Sequence, residues 1–174
     1  MQNDITLLQE TDLFKNLNIE QINKVLDICR RVRFAKYDII MKEGDVGDSI
    51  YIILEGTVEV IKNLVSSEIM EDDYQESVKN KIITKLDEKS HAVFGEISLL
   101  DDCKRTATVR AITDCEFYEI KKDNFLHLIE EHNGLGCKIL LNLAGVVSKR
   151  LRKADEDIIK LTTVVSIILR ESSS

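Results

Sequence analysis

The chain has 174 residues, 44% hydrophobic and 32% charged, enough for one domain with a sizeable core and too few for two comfortable ones. Its formal charge is −7, from 24 basic and 31 acidic residues, and without a basic tract it does not suit a surface built mainly to neutralise nucleic-acid phosphates or anionic lipid. Seven glycines and no proline exclude collagen-like and proline-rich linker classes, and the apolar fraction is too high for wholesale disorder.

The first residues, MQNDITLLQETDLFKNL, carry acids where a secretory leader needs a basic start and an apolar run. No apolar run approaches the ~20 residues of a membrane span, so a cytoplasmic protein with no membrane partner is expected. From Thr11 to Arg31 the apolar positions, among them Leu13, Phe14, Leu17, Ile22, Val25 and Ile28, recur mostly three and four apart. That spacing predicts short N-terminal helices within residues 1–31, with Asp12 as a cap. Cys29, Cys103, Cys115 and Cys137 form no CxxC and have no histidines at zinc spacing, so free thiols in a reducing compartment are expected.

After Arg33 short β-rich runs alternate with Gly and Asp turns: Tyr37 to Met41, Ser49 to Leu54, and Thr57 to Ile61. They predict an antiparallel sheet or roll, with Gly44, Gly47 and Gly56 at tight turns that need unusual backbone angles. Residues 63–81 hold Glu68, Glu71, Asp72, Asp73 and Glu76 with little apolar period, which reads as an acidic, solvated loop insertion or, secondly, as a regulatory contact. Strand-like runs resume at Lys81–Leu86, Ala107–Ile112 and Glu116–Ile120, completing a roll over residues 32–122.

Asp123 is then expected to cap a helix, and Asn133-Gly134-Leu135-Gly136 to punctuate the chain. Beyond it Leu140, Leu143, Val147, Leu151, Ala154, Ile158, Leu161, Val165 and Ile168 describe one long amphipathic helix, an eleven-residue step followed by heptads. Roughly 30 residues, or ~45 Å at 1.5 Å per residue, exceeds what a domain of this size needs. Its distal half is therefore expected to pack outside its own core: as a parallel coiled-coil homodimer, or else back on the roll or onto a partner helix. The fold class is α+β: an antiparallel β-roll of double-stranded β-helix, jelly-roll-like form, between N-terminal helices and C-terminal helices over residues 123–171, the whole of 1–174 being one domain.

The stretch richest in chemistry runs from Phe94 to Val109. Gly95 lets the backbone turn sharply and approach a ligand, and Glu96 to Leu100 can form one helical turn whose free amides face an anion. Arg105 supplies a planar fork of donors suited to a phosphodiester, and Glu96 an acceptor for a ribose hydroxyl that can at the same time pair with a cation. The plain alternative is a Glu–Arg ion pair bracing a turn.

Phe94-Gly95-Glu96 followed by Arg105-Thr106-Ala107-Thr108-Val109 resembles the phosphate-binding cassette of the cyclic nucleotide-binding domain family. That family includes regulatory subunits of cyclic-nucleotide-dependent kinases, nucleotide-gated channels and catabolite-activator-like regulators. Leu13 to Leu17, the Glu43-Gly44-Asp45 turn and Ile50 to Val60 extend the similarity, which covers about Leu13 to Lys153. The resemblance implies that Glu96 binds the ribose 2′-hydroxyl, that Arg105 binds the cyclic phosphate, and that the backbone at Gly95, Ile97, Ser98 and Ala107 lines the phosphate pocket. Thr106 stands where cGMP-dependent kinase cassettes carry Thr, whose hydroxyl can bond the amino group of a guanine; alternatively it bonds phosphate or fills space. Arg152, Ala154 and Asp155 fall, within about four residues of helix register, where relatives bring a lid residue over the base, and an Asp155 carboxylate could accept from guanine N1 and N2.

Three departures stand out: Ser98 in place of the usual Ala, Ser90-His91 where Gly-Asp is frequent, and the longer acidic insertion. His91, His127 and His132 form no metal set, and no nucleophile or activated water can be located. The expected function is thus a non-enzymatic receptor for cAMP or cGMP, with no other cofactor and no metal, that signals to a downstream protein through its lid helix. Rival readings are a relative of the catabolite-activator regulators, a ligand-free dimerisation module, and a phosphodiesterase. Only Arg170-Glu171-Ser172-Ser173-Ser174 follows the long helix, where those regulators carry a helix-turn-helix, so no direct DNA binding is expected, and Lys149-Arg150-Leu151-Arg152-Lys153 reads as an exposed helix face.

Overall fold

A computed structural model describes residues 2–63, 80–90, 92–100 and 103–171. Its central strand, β3 (Ser49–Glu55), shows how the chain builds two cores. Successive side chains on a strand point to opposite faces. Ile50 and Ile52 accordingly join one buried cluster with Phe14, Ile22, Ile120, Phe125 and Ile139. Tyr51 and Ile53 join a second cluster with Val58, Phe94, Val109 and Phe117. Both faces of β3 are thus covered, which is why it reads as a continuous apolar run.

The second cluster fills the roll between two antiparallel sheets. The other strands are β1 (Cys29–Phe34), β2 (Ile39–Met41), β4 (Thr57–Asn63), β5 (Asn80–Asp87), β6 (Val93–Phe94), β7 (Thr108–Ala111) and β8 (Cys115–Lys121). One sheet has the order β1-β8-β3-β6 and the other β2-β7-β4-β5. Register is fixed by pairs such as Ile52 with Tyr118 and Val60 with Val109. The α+β roll expected from the sequence is present, with a long C-terminal helix.

The first cluster is roofed by helices: α1 (Gln2–Glu10), α2 (Ile19–Leu26), α4 (Lys122–Glu131) and α5 (Asn133–Glu171); the short α3 (Ile97–Leu100) lies in the cassette. Several expected boundaries move. Roll strand β1 begins at Cys29, inside the region read as helical, because Arg30, Arg31 and Arg33 mask its alternation; they pair across the ladder with Glu119 and Glu116 of β8. The helix cap is Asn18, which forms a reciprocal capping box with Gln21, and not Asp12. Asp12 instead accepts a 2.7 Å bond from Lys149 of α5, and that ammonium holds its carboxyl below the usual range. Asp123 lies within the first turn of α4, behind Lys121 at the cap position, where its charge favours the helix dipole without a capping bond.

Gly44 and Gly56 have the positive φ expected of them, +90° and +93°. Asn63 pairs with Asn80 and Lys62 with Lys81, so both edges of the expected insertion are strand. Residues 64–79, with all five named acids, lie outside the described residues. All four cysteines are free thiols. Burial pushes the Cys29 thiol up to about 12.

Helix α5 is 39 residues long and starts at Asn133, so the glycine-bearing stretch is its first turn and not a linker. Leu135, Ile139 and Leu143 are buried against the roll, whereas Leu151, Ile158, Leu161, Val165 and Ile168 are exposed. Among the described residues no helix is long and apolar enough to cross a membrane.

Candidate functional site

Helix α5 crosses the mouth of a cavity of about 380 Å³ floored by the second sheet. Val60 of β4, Leu86 of β5 and Val109 of β7 form an apolar wall, while residues 94–98 and 104–107 supply the polar rim. All seven residues singled out in the cassette, Gly95, Glu96, Ile97, Ser98, Arg105, Thr106 and Ala107, line it.

Arg105 is fixed first by its backbone. Its N–H donates to Asp45 O at 2.7 Å and its carbonyl accepts from Gly44 N–H at 2.9 Å, which staples the β2–β3 turn to the cassette. The residue is buried, 6% exposed. Nη1 donates to Ser98 Oγ at 2.7 Å and to Gly95 O at 3.2 Å. Nη2 donates to Ser49 O at 2.7 Å and Ser49 Oγ at 3.4 Å. Ser49 Oγ lies 3.3 Å from Tyr51 Oη, which donates to Glu119 at 3.2 Å, and Glu119 accepts from Arg30 at 2.7 Å. A buried polar chain thus runs from the cavity to the outer edge of the roll. Among the described residues Arg105 has neutral oxygen partners and no carboxylate within ion-pair distance. A buried cation held only by neutral acceptors leaves room in its charge balance for an anion.

Glu96 is buried, 1% exposed. Its Oε1 pairs with Arg150 of α5, which also donates to Val93 O at 2.6 Å. Among the described residues its Oε2 is buried without a hydrogen-bond partner. Such an orphaned acceptor is costly unless a donor arrives to fill it.

Two glycines make the approach possible. Gly95 has φ +82°, and a Cβ there would lie 2.7 Å from Arg105 Nη1 and 2.9 Å from Ser49 O. Gly47 lacks the positive φ expected of it; what it needs is space, since a Cβ would lie 2.3 Å from Ser98 Oγ.

Helix α5 presents a different set of residues to the cavity from the one expected. Ala154 lines the cavity as expected, but Arg152 and Asp155 do not; Arg150, Lys153 and Asp157 take those places. These four residues follow the i, i+3, i+4, i+7 pattern of one helix face, whereas Arg152 is rotated about 200° from Arg150 at ~100° per residue. The 149–153 run is exposed as expected, and Arg150 and Lys153 within it also line the cavity. Among the described residues no group of three or more His, Cys, Asp or Glu could hold a metal.

Residues 31–132 match the family model described as the cyclic nucleotide-binding domain. The chain belongs to that family. This cyclic nucleotide-binding domain is 33% identical over 116 residues to a cGMP-dependent protein kinase of Drosophila melanogaster, covering 67% of this chain and 9% of the kinase. The Thermus thermophilus catabolite activator protein shares its architecture with a TM-score of 0.72 at 25% identity, over 87% of this chain and 63% of that one. The cAMP-bound PfPKA-R gives a TM-score of 0.60 at 30% identity, over 73% of this chain and 40% of that one. The domain spans about a tenth of the length of the first curated relatives it matches.

Proposed function

We propose that this domain is a non-enzymatic receptor for a cyclic purine nucleotide, cAMP or cGMP, and that helix α5 is its lid. The observation that carries the reading is a pair of unmet demands on one cavity: the buried Arg105 cation, whose hydrogen-bond partners among the described residues are neutral oxygens, and the buried Glu96 Oε2, which has no donor among the described residues. A cyclic phosphate answers the first and a ribose 2′-hydroxyl the second. The apolar wall of Val60, Leu86 and Val109 with Ala154 opposite suits the flat base, and Thr106, Lys153 and Asp157 offer polar groups at its edge.

Because Arg150 binds Glu96 Oε1 and leaves Oε2, lid and ribose can share one carboxylate. Nucleotide then favours the arrangement with α5 against the cassette, by no more than its differential affinity for the two arrangements. The change is read by a downstream protein in the cytoplasm, where the four thiols stay reduced. The reading assigns the acidic chain no direct contact with DNA.

Calorimetric titration of cAMP and cGMP against wild type and Arg105→Ala tests it. Micromolar or tighter binding that vanishes in the folded variant supports the receptor and ranks the bases; silence with both, in ligand-free folded protein, overturns it. The exposed stripe on distal α5 further supports homodimerisation through a parallel coiled coil. Sedimentation should then show dimers for wild type and monomers for Leu161→Asp, and an unchanged dimer would contradict that interface.

A further inference from the structure

Helix α5 carries a second polar face, turned away from the cavity. Lys138 Nζ donates to Gln21 Oε1 of α2 at 3.1 Å, and Lys149 Nζ donates to Asp12 Oδ2 at 2.7 Å. Between them Asn142 Nδ2 donates twice to the turn that precedes α2, to Leu13 O at 3.1 Å and to Lys15 O at 2.9 Å. At ~100° per residue Asn142 lies about 40° and Lys149 about 20° round the helix from Lys138, so the three side chains form one narrow strip. All of it is bonded to the N-terminal segment.

The cavity face of α5, made by Arg150, Lys153, Ala154 and Asp157, is centred about 90° further round. The neighbours Lys149 and Arg150 thus hold two different bodies, Asp12 in the N-terminal turn and Glu96 in the cassette. The turn is a firm anchor, because Leu13, Phe14 and Leu17 are buried in the first core cluster. A roll of α5 by about 20° carries a side-chain tip ~6 Å from the axis through about 2 Å, enough to break a hydrogen bond. Whatever fixes the roll of the helix therefore decides whether Arg150 reaches Glu96. The Asp12–Lys149 pair, 51% and 55% exposed, is weak by itself, and the two bonds from Asn142 carry the larger share.

We propose that Asn142 and Lys149 are positioning residues of the nucleotide site. By bonding the turn at residues 12–15 they set the roll of α5 at which Arg150 meets Glu96 and the cavity face covers the base. Neither lines the cavity, so each acts through Arg150. The role rests on the reading of α5 as the lid of a cyclic nucleotide receptor.

Calorimetric titration of cAMP and cGMP against wild type, Asn142→Ala, Lys149→Asp and the charge exchange of Asp12→Lys with Lys149→Asp tests it, with thermal unfolding followed alongside. Asn142→Ala is repeated in the Arg150→Ala background. Loss of two neutral hydrogen bonds predicts affinity about three- to thirtyfold weaker for Asn142→Ala. Lys149→Asp sets like charges face to face and should weaken binding about threefold, and the charge exchange should recover most of that loss. With Arg150 already removed, Asn142→Ala should add little. Unchanged affinity with a lowered unfolding midpoint, an equal loss with and without Arg150, or a charge exchange that recovers nothing each overturns the positioning role and leaves the receptor standing. If Asn142→Ala does not fold, the two charge variants, at half-exposed positions, decide. Wild type that binds neither nucleotide removes the receptor reading and the positioning role together.

Discussion

Arg150→Ala is expected to weaken cyclic nucleotide binding by at least about tenfold and to loosen α5 from the roll. The reason lies in where its partner sits. Glu96 is 1% exposed and one of its oxygens already lacks a donor among the described residues, so losing Arg150 leaves the carboxylate buried without a partner among them. Breaking a fully buried pair from one side costs about 3–5 kcal/mol. Arg150 itself is 45% exposed, and solvent screening brings the expected cost to about 2 kcal/mol. Arg150→Lys should recover part of the loss: it keeps the charge but not the fork that reaches both Glu96 and Val93 O. Calorimetry and thermal unfolding measure both effects; an Arg150→Ala protein that matches wild type in both would show that the ion pair contributes nothing.

Gly95→Ala should be more damaging still, with a loss of about 3 kcal/mol and binding weakened at least about a hundredfold. A φ of +82° alone strains any side chain with a Cβ. That Cβ would also meet Ser49 O at 2.9 Å, a backbone atom of the central strand that cannot swing aside. Arg105 Nη1, 2.7 Å away, would have to leave its place beside Ser98 and Gly95 O. For a domain of this length the stability loss corresponds to about 6–12 °C in Tm. A Gly95→Ala protein that keeps wild-type Tm and nucleotide affinity would show that the turn does not need its left-handed conformation.

The cassette was legible because its chemistry is local: a glycine, an acid and an arginine within a dozen residues carry the same meaning in any register. β3 was legible for a different reason, since a strand covered on both faces is apolar throughout and needs no phase. The lid was not. Arg150 meets Glu96 across 54 residues of sequence, and which face of a 39-residue helix turns inward depends on rotation of ~100° per residue. An error of two residues exchanges Arg150 for Arg152, on the far side. The i, i+3, i+4, i+7 set of Arg150, Lys153, Ala154 and Asp157 was the available signal, but it is polar and lay hidden under a more regular apolar stripe. Edge strand β1 was missed for a related reason: three arginines paired to carboxylates on β8 look like a helix end when the partner strand is unknown. The contact of Ser98 with Arg105, seven residues on, is likewise revealed only by the fold of the cassette.

Amide hydrogen exchange of the wild-type protein with and without saturating cyclic nucleotide tests the central claim most directly. Nucleotide filling the space between Glu96, Arg105 and α5 should slow exchange both in residues 93–98 and along α5 around residues 147–157, while the buried strand β3 changes little. Tight binding that protects the cassette and leaves α5 exchanging as before would contradict the claim that this helix is the lid through which the nucleotide is sensed.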